Sequence, residues 1–274
     1  MPCCGDALGA KLIEQGGFDV GFVSGFSVAA AHGMPDTGLL SYGEMESTMR
    51  RVCATVDRIP MIGDGDTGYG NAVNAKRTAR GYAAAGLAGM MIEDQRAPKR
   101  CGHTRDKEVV DRDTAVARVR AAVDAARSTA GGLVIMARTD ARETDGMDEA
   151  IARCKAFREA GAEITFLEAP RSVDELRRFG EEVPGWKMAN LLAGGLTPML
   201  PPKQLEAMGF SLAAYPLDLL NASVVAMRMA LAHLRSRGAP PAELTLPFAE
   251  LQKVVGFEEY YAEEARYRTS GDDP

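Results

Sequence analysis

From the start of the chain to about residue 222, short apolar runs recur at 19–24, 60–64, 89–93, 133–138, 164–168, 186–190 and 212–215. The segments between them carry apolar positions at helical spacing, for example Ala115, Val119, Ala122, Val123 and Ala126, or Ile151, Cys154 and Phe157. The runs Met90-Met91-Ile92 and Val134-Ile135-Met136 are apolar throughout, as strands covered on both faces must be. Such alternation predicts βα units around a parallel sheet. Ala85-Gly86 and Ala160-Gly161 suit left-handed helix C-terminal caps.

Residues 2–4, directly before a helix predicted over 7–15, supply an eighth strand, and the expected fold is then an α/β (β/α)8 TIM barrel. An open seven-stranded sheet is the competing architecture. The polar residues favour the barrel: Ser24, Asp64, Asp66, Glu93, Arg138, Asp140, Glu168 and Asn190 all fall at or just past the carboxyl ends of strands, which a barrel gathers on one face. The expected division is a barrel over 1–237 and a C-terminal helical segment over 238–274, separated at the Gly- and Pro-rich stretch 238–241. Leu251, Val254, Val255, Tyr260 and Tyr261 give residues 248–268 one apolar helical face. That face needs a cover, either the chain's own barrel or a neighbouring subunit. The tail 269–274 is expected to be disordered.

Composition narrows the function classes. With 274 residues, 46% hydrophobic and 26% charged, the chain can bury a large core, and a net charge of −6 without a basic stripe argues against a nucleic-acid partner. No apolar run is long enough for a membrane span and no signal-peptide pattern opens the chain, so a soluble intracellular protein is expected. Five scattered cysteines (Cys3, Cys4, Cys53, Cys101, Cys154) suggest neither a disulfide framework nor a structural zinc site and fit a reducing compartment. Cys3 and Cys4 are expected in a buried strand.

Two stretches carry chemistry. Gly63-Asp64-Gly65-Asp66-Thr67-Gly68-Tyr69-Gly70-Asn71 follows a strand and places two carboxylates one residue apart in a glycine-rich turn. Two such carboxylates repel each other, and a hard divalent cation relieves the repulsion. A solvated Asx-rich turn is the ordinary alternative. The literal match to a dinucleotide fingerprint is weakened because Asp64 and Asp66 would stand where a pyrophosphate must approach. The second stretch is 98–105, in which Cys101 is flanked by Lys99, Arg100, His103 and Arg105, a setting that favours thiolate and proton exchange near neutral pH.

Ser24-Gly25-Phe26, Pro35-Asp36, the 63–71 turn, Ile92-Glu93-Asp94-Gln95, Lys99-Arg100-Cys101-Gly102-His103, Ala137-Arg138-Thr139-Asp140, Met188-Ala189-Asn190 and Tyr215-Pro216-Leu217 occur in this order. Together they resemble the isocitrate lyase and phosphoenolpyruvate mutase superfamily over about residues 6–225. The likeness is greatest to its 2-methylisocitrate lyase branch and to plant and algal plastid proteins of the carboxyphosphonoenolpyruvate mutase type. The resemblance implies a barrel whose last helices are exchanged between subunits, in a homotetramer. It implies Mg²⁺, or Mn²⁺ in its place, at Asp64 and Asp66, with Glu93 and Asp36 close by through water. It implies that Ser24, Gly25 and Phe26 bind a 2-oxo acid and that Arg138 holds a carboxylate. Asp36, Gly102, Glu168 and Asn190 complete the expected substrate contacts, and Cys101, His103, Lys99 and Arg138 form the expected catalytic set.

The activity implied is a Mg²⁺-dependent C–C bond lyase that releases pyruvate, glyoxylate or a similar 2-oxo acid from a 2-hydroxy di- or tricarboxylate. A phosphonomutase is the alternative, and a barrel that binds a metabolite without turning it over is a third. The expected location is the cytoplasm, or a plastid after removal of a transit peptide. Many relatives carry glutamate at the position of Ala193, and the 2-methylisocitrate lyases carry arginine at that of Asn221. These departures shift the expected substrate from methylisocitrate towards a smaller, alkylmalate-like acid.

Overall fold

The computed structural model of the protein describes residues 1–102 and 106–269. Its elements are β1 (Cys3–Cys4), α1 (Ala7–Gln15), β2 (Gly21–Val23), α2 (Gly25–Ala31), α3 (Tyr42–Cys53), β3 (Met61–Asp64), α4 (Ala72–Ala84), β4 (Gly89–Glu93), α5 (Arg112–Arg127), β5 (Val134–Thr139), α6 (Ala141–Thr144), α7 (Met147–Glu159), β6 (Ile164–Leu167), α8 (Val173–Glu182), β7 (Trp186–Asn190), α9 (Pro202–Ala207) and β8 (Leu212–Ala214). The α10 helix (Asp218–Arg237), α11 (Phe248–Val255) and α12 (Phe257–Tyr267) follow. Eight strands pair in parallel in sequence order. A parallel bridge between Pro2 and Tyr215, with Cys3 N–H on the Tyr215 carbonyl at 3.2 Å and Tyr215 N–H on the Met1 carbonyl at 3.0 Å, joins the last strand to the first. The sheet is therefore a (β/α)8 TIM barrel, and the open seven-stranded arrangement is excluded.

The strand ends differ from the apolar runs by one or two residues, because hydrogen-bonded pairing stops before the apolar pattern does. Predicted strands 19–24 and 212–215 shorten to Gly21–Val23 and Leu212–Ala214, and 133–138 shifts by one residue to Val134–Thr139. Gly86 and Gly161 take positive φ (101° and 105°) directly after α4 and α7, as the Ala-Gly pairs predict.

Register places the site. Side chains alternate faces along a strand, so Cα partners in adjacent strands share a face. The partner rows Asp64–Met91–Met136–Ile164 and Glu93–Arg138–Phe166–Met188 run across the sheet. Cys3, Phe22, Ile62, Met91, Met136, Ile164, Phe166, Met188 and Ala214 pack together as one buried apolar cluster inside the barrel. Ser24, Asp64, Glu93, Arg138, Glu168 and Asn190 each lie two residues beyond a member of that cluster. They share its face and rise above it at the carboxyl end. The opposite faces pack against the helices in two further apolar clusters.

The chain divides into two compact units, Met1–Leu220 and Asn221–Pro274, so the division lies near the start of α10. In the second unit, Gly256 with φ of 98° breaks the helix expected over 248–268 into α11 and α12. No residue of α10, α11 or α12 is buried, and Leu231, Phe248 and Tyr260 stand exposed. No helix among the described residues is long and apolar enough to cross a membrane. The tail expectation falls mostly on 270–274, outside the described residues.

Candidate active site

A cavity of about 630 Å³, open in part to solvent, lies at the carboxyl end of the barrel. Phe22, Met91, Phe166, Met188 and Ala214 form its apolar floor, and Ser24, Phe26, Asp36, Asp64, Lys99, Cys101, Gly102, Arg138, Glu168 and Asn190 line it above. Its apolar floor and few convergent polar groups are those of a small-molecule site.

The acidic turn is built by close backbone packing. A Cβ on Gly65 would lie 2.5 Å from the Met91 carbonyl and one on Gly68 would lie 2.8 Å from the Ala75 Cβ, so glycine is required at both. Asp66 and Tyr69 take left-handed φ of 47° and 58°, a strained choice for residues with side chains. Hydrogen bonds hold it: the Tyr69 hydroxyl donates to Asp66 Oδ2 (2.9 Å) and the Tyr82 hydroxyl to the Asp64 carbonyl (2.9 Å). Asp64 accepts from the N–H groups of Gly25 (3.1 Å) and Asp66 (3.0 Å). Gly25 thus spends its N–H on the acidic turn, while Ser24 caps α2 by accepting from Ser27 N–H at 3.4 Å.

Lys99 reaches into this acidic group. Its Nζ lies 2.7 Å from Asp36 Oδ1 and 2.6 Å from Asp66 Oδ1, with all three side chains at least nine-tenths out of solvent. Burial alone would lower the ammonium pKa, but Asp66, Asp64, Glu93 and Asp36 together hold it well above its usual value. Burial pushes the Asp64 carboxyl up and repulsion from Asp66 adds to the effect. Burial likewise raises Glu93 well above the usual range, against the pull of Arg138. The charge of Lys99 is therefore committed to the carboxylates, unlike the Cys101-directed setting expected from sequence.

Arg138 is the second cation. Its Nε lies 2.8 Å from Asp140 Oδ2 and 3.3 Å from Glu93 Oε2, and its Nη2 lies 3.0 Å from Asp140 Oδ1 and 3.2 Å from Glu168 Oε2. The guanidinium carbon stands 5.2 Å from the Phe166 ring centre. Burial opposes its charge, and Asp140, Glu168 and Glu93 more than restore it. Nη1 carries none of these contacts. Asn190 Nδ2 stands 3.4 Å from Glu168 Oε1 and completes this wall.

The loop bearing Cys101 leaves β4 and is pinned at three places. The Gln95 side chain donates to the Arg100 carbonyl and accepts from the Arg100 N–H, both at 2.9 Å. A Cβ on Gly102 would lie 2.7 Å from Glu168 Cδ and closer still to Arg138 Nη2, so the backbone here rests directly on the cavity wall. Lys107 Nζ donates to the Gly102 carbonyl (2.5 Å) and to Asp140 Oδ1 (2.8 Å). Asp140 is itself placed by Asp94, which accepts from Asp140 N–H (2.9 Å), the Thr139 hydroxyl (2.6 Å) and Arg153 Nη1 (3.0 Å). His103 lies outside the described residues.

All other expected site residues reach this end of the barrel. Lys107, Gln95, Tyr69 and Arg153 are the supporting residues that the sequence reading left without roles. Only Arg153 offered a signal, a charge beside Ile151 and Cys154 on the buried face of α7, where it is 4% exposed. Ala193 is exposed and its neighbour Leu192 lines the cavity instead. Asn221 opens the second compact unit.

The donor set suits a hard divalent ion. Glu93 Oε1 is buried without a hydrogen-bond partner, and Asp66 Oδ1 meets Lys99 in charge contact but without a well-aligned hydrogen bond. Among the described residues no three His, Cys, Asp or Glu side chains converge as a finished metal cage. Mg²⁺ does not need one, since it keeps waters and takes one or two carboxylates plus ligand oxygens.

Residues 1–235 match the family model described as phosphoenolpyruvate phosphomutase. The chain is 42% identical over 273 residues to a chloroplastic carboxyvinyl-carboxyphosphonate phosphorylmutase of Arabidopsis thaliana, covering 97% of this chain and 80% of that one. It is 39% identical over 271 residues to a 2,3-dimethylmalate lyase of Eubacterium barkeri, covering 98% and 93%. A crystal structure of 2,3-dimethylmalate lyase superposes with a TM-score of 0.94 at 34% identity, covering 99% of this chain and 91% of that one. A phosphonopyruvate hydrolase in complex with oxalate and Mg²⁺ superposes with a TM-score of 0.84 at 30% identity, covering 97% and 93%. The chain therefore belongs to the phosphoenolpyruvate phosphomutase family and is a lyase or mutase of the isocitrate lyase/PEP mutase superfamily.

Proposed function

We propose that the protein is a divalent-cation-dependent C–C bond lyase that releases a 2-oxo acid from a 2-hydroxy dicarboxylate of the alkylmalate type. The observation that carries the reading is that Cys101 lines the same cavity as Arg138 and Asp64, which brings a proton donor and an anion-holding group into one site. Asp64, Asp66 and Glu93 would hold Mg²⁺ or Mn²⁺, whose positive charge would stabilise the 2-oxo oxygen. Arg138 would bind a substrate carboxylate through Nη1 in a charge-assisted hydrogen bond, its other nitrogens being held by Asp140, Glu93 and Glu168. A carboxylate of the cluster takes the proton of the 2-hydroxyl as the C2–C3 bond breaks. C2 becomes the carbonyl carbon of the 2-oxo acid, and the bonding electron pair passes to the other fragment as an enediolate. Cys101 protonates that carbon and is left as thiolate. The apolar floor of Phe22, Met91, Phe166 and Met188, with Leu192 above it, suits alkyl substituents better than a third carboxylate, which would lie unpaired there.

A coupled assay for pyruvate, glyoxylate or another 2-oxo acid, run with Mg²⁺ over a panel of malates and their alkylated forms, tests the reading. Silence across the panel overturns it. Phosphonate formation is the second reading, supported by the 42% identity to the Arabidopsis phosphorylmutase, and phosphorus NMR would register a new P–C bond. We place a second copy of this chain over the exposed apolar side chains of α10–α12, in a helix-exchanged homotetramer, with sedimentation velocity as the check. The free thiols of Cys3, Cys4, Cys53 and Cys154 suit a reducing compartment, cytoplasm or plastid stroma.

A further inference from the structure

We infer that Lys99 is the resident cation of the acidic cluster: its ammonium neutralises Asp36 and Asp66, tethers residues 97–99 to the barrel, and withdraws when a divalent ion binds. This rests on the reading above that Asp64, Asp66 and Glu93 hold such an ion.

Three observations carry it. The ammonium lies 2.7 Å from Asp36 and 2.6 Å from Asp66, and a Cβ on Gly25 would meet both Asp64 Oδ2 (2.7 Å) and Lys99 Nζ (3.3 Å), so the cation stands within the carboxylate group itself. Its fit is electrostatic and incomplete, since Asp66 Oδ1 gains no aligned hydrogen bond and Glu93 Oε1 has no partner at all. One ammonium with three donors cannot satisfy four carboxylates, whereas a divalent ion with its retained waters serves oxygen ligands on several sides. Finally, Lys99 adjoins Arg100, whose backbone is held by Gln95, so the lysine side chain can leave while the base of the loop stays anchored.

A positive charge in this low-dielectric pocket opposes any ion that enters it. Binding of Mn²⁺ alone, followed by electron paramagnetic resonance, should be about ten-fold tighter in Lys99→Met than in the wild type, a fold-change set by removing that repulsion. Hydrogen exchange adds a readout that a merely structural lysine would not give. In the wild type, Mn²⁺ should speed exchange at residues 97 and 99 while the Arg100 N–H, held by Gln95, stays slow; in Lys99→Met, exchange at 97 and 99 should be fast already and insensitive to Mn²⁺.

Equal or weaker Mn²⁺ binding by the variant overturns the inference, and so does wild-type exchange that Mn²⁺ leaves unchanged, a measurement that needs no variant. If both proteins bind Mn²⁺ equally, the metal reading stands and the role of Lys99 is lost. If neither binds it, the metal reading fails and takes this inference with it.

Discussion

The ammonium of Lys107 lies 2.8 Å from Asp140 Oδ1, with both side chains out of solvent, and the same nitrogen holds the carbonyl of Gly102. One buried lysine thereby joins the loop over the cavity to the strand end that carries Arg138. Lys107→Met keeps the length and removes the charge. Asp140 keeps Arg138, so the expected loss of stability is about 3 kcal/mol, the lower end for breaking a buried pair. Urea unfolding measures this, and turnover should fall as well because Gly102 is no longer held. Unchanged stability would show that the pair contributes nothing.

Gly102→Ala separates loop placement from folding. The added methyl would collide with Arg138 and Glu168 whenever the loop rests on the cavity wall, yet the barrel beneath is untouched. The melting temperature should stay within about 2 °C of the wild type, as for changes outside the core, while turnover on the lyase substrate is largely lost. Full activity in this variant would mean that the loop does not work in the position seen here.

Cys101→Ser tests the proton donor. The hydroxyl preserves the shape of the wall but gives up its proton far less readily, so turnover should fall by roughly 10²–10⁴-fold. Calorimetric affinity for the substrate should hold, since the anion-binding groups remain. A variant that keeps wild-type turnover removes Cys101 from the chemistry.

How far these residues could be read from sequence depends on how local their cause is. Period-two alternation ties Glu93 to Met91 and Arg138 to Met136, so the barrel face was legible from the apolar runs alone. Lys107 and Lys99 were not, because a long side chain on a loop declares no direction until the loop path is known. Both end on carboxylates, Lys107 on Asp140 33 residues away, and no local periodicity links such pairs. The break at Gly256 was legible in principle: a glycine between Val255 and Phe257 has the left-handed freedom that ends a helix, but the apolar stripe continued across it and masked the stop. Leu192 lines the cavity while Ala193 is exposed, and a turn, with neither helical nor strand period, gives no rule for which neighbour faces inward.

The pH dependence of stability provides a test of the Asp140 network that does not involve catalysis. Burial alone would raise this carboxyl, but Arg138 and Lys107 hold it well below the usual carboxylate range. Its native pKa is depressed relative to the unfolded chain, where a carboxyl of this type titrates near ~3.9. Its contribution is therefore fully present above the unfolded value and is lost only as pH falls below it, towards the native value. Asp140→Asn removes this carboxylate and leaves Lys107 and Arg138 short of a counter-charge, at an expected cost of about 3–5 kcal/mol at pH 7. The gap between wild type and variant, from urea unfolding at a series of pH values, should be flat from about pH 8 to pH 5 and begin to narrow only near pH 4. A gap that narrows between pH 8 and 6 would mean that a carboxyl of this network, Asp140 itself or the buried Glu93 and Asp94 that it repels, takes up a proton near neutrality.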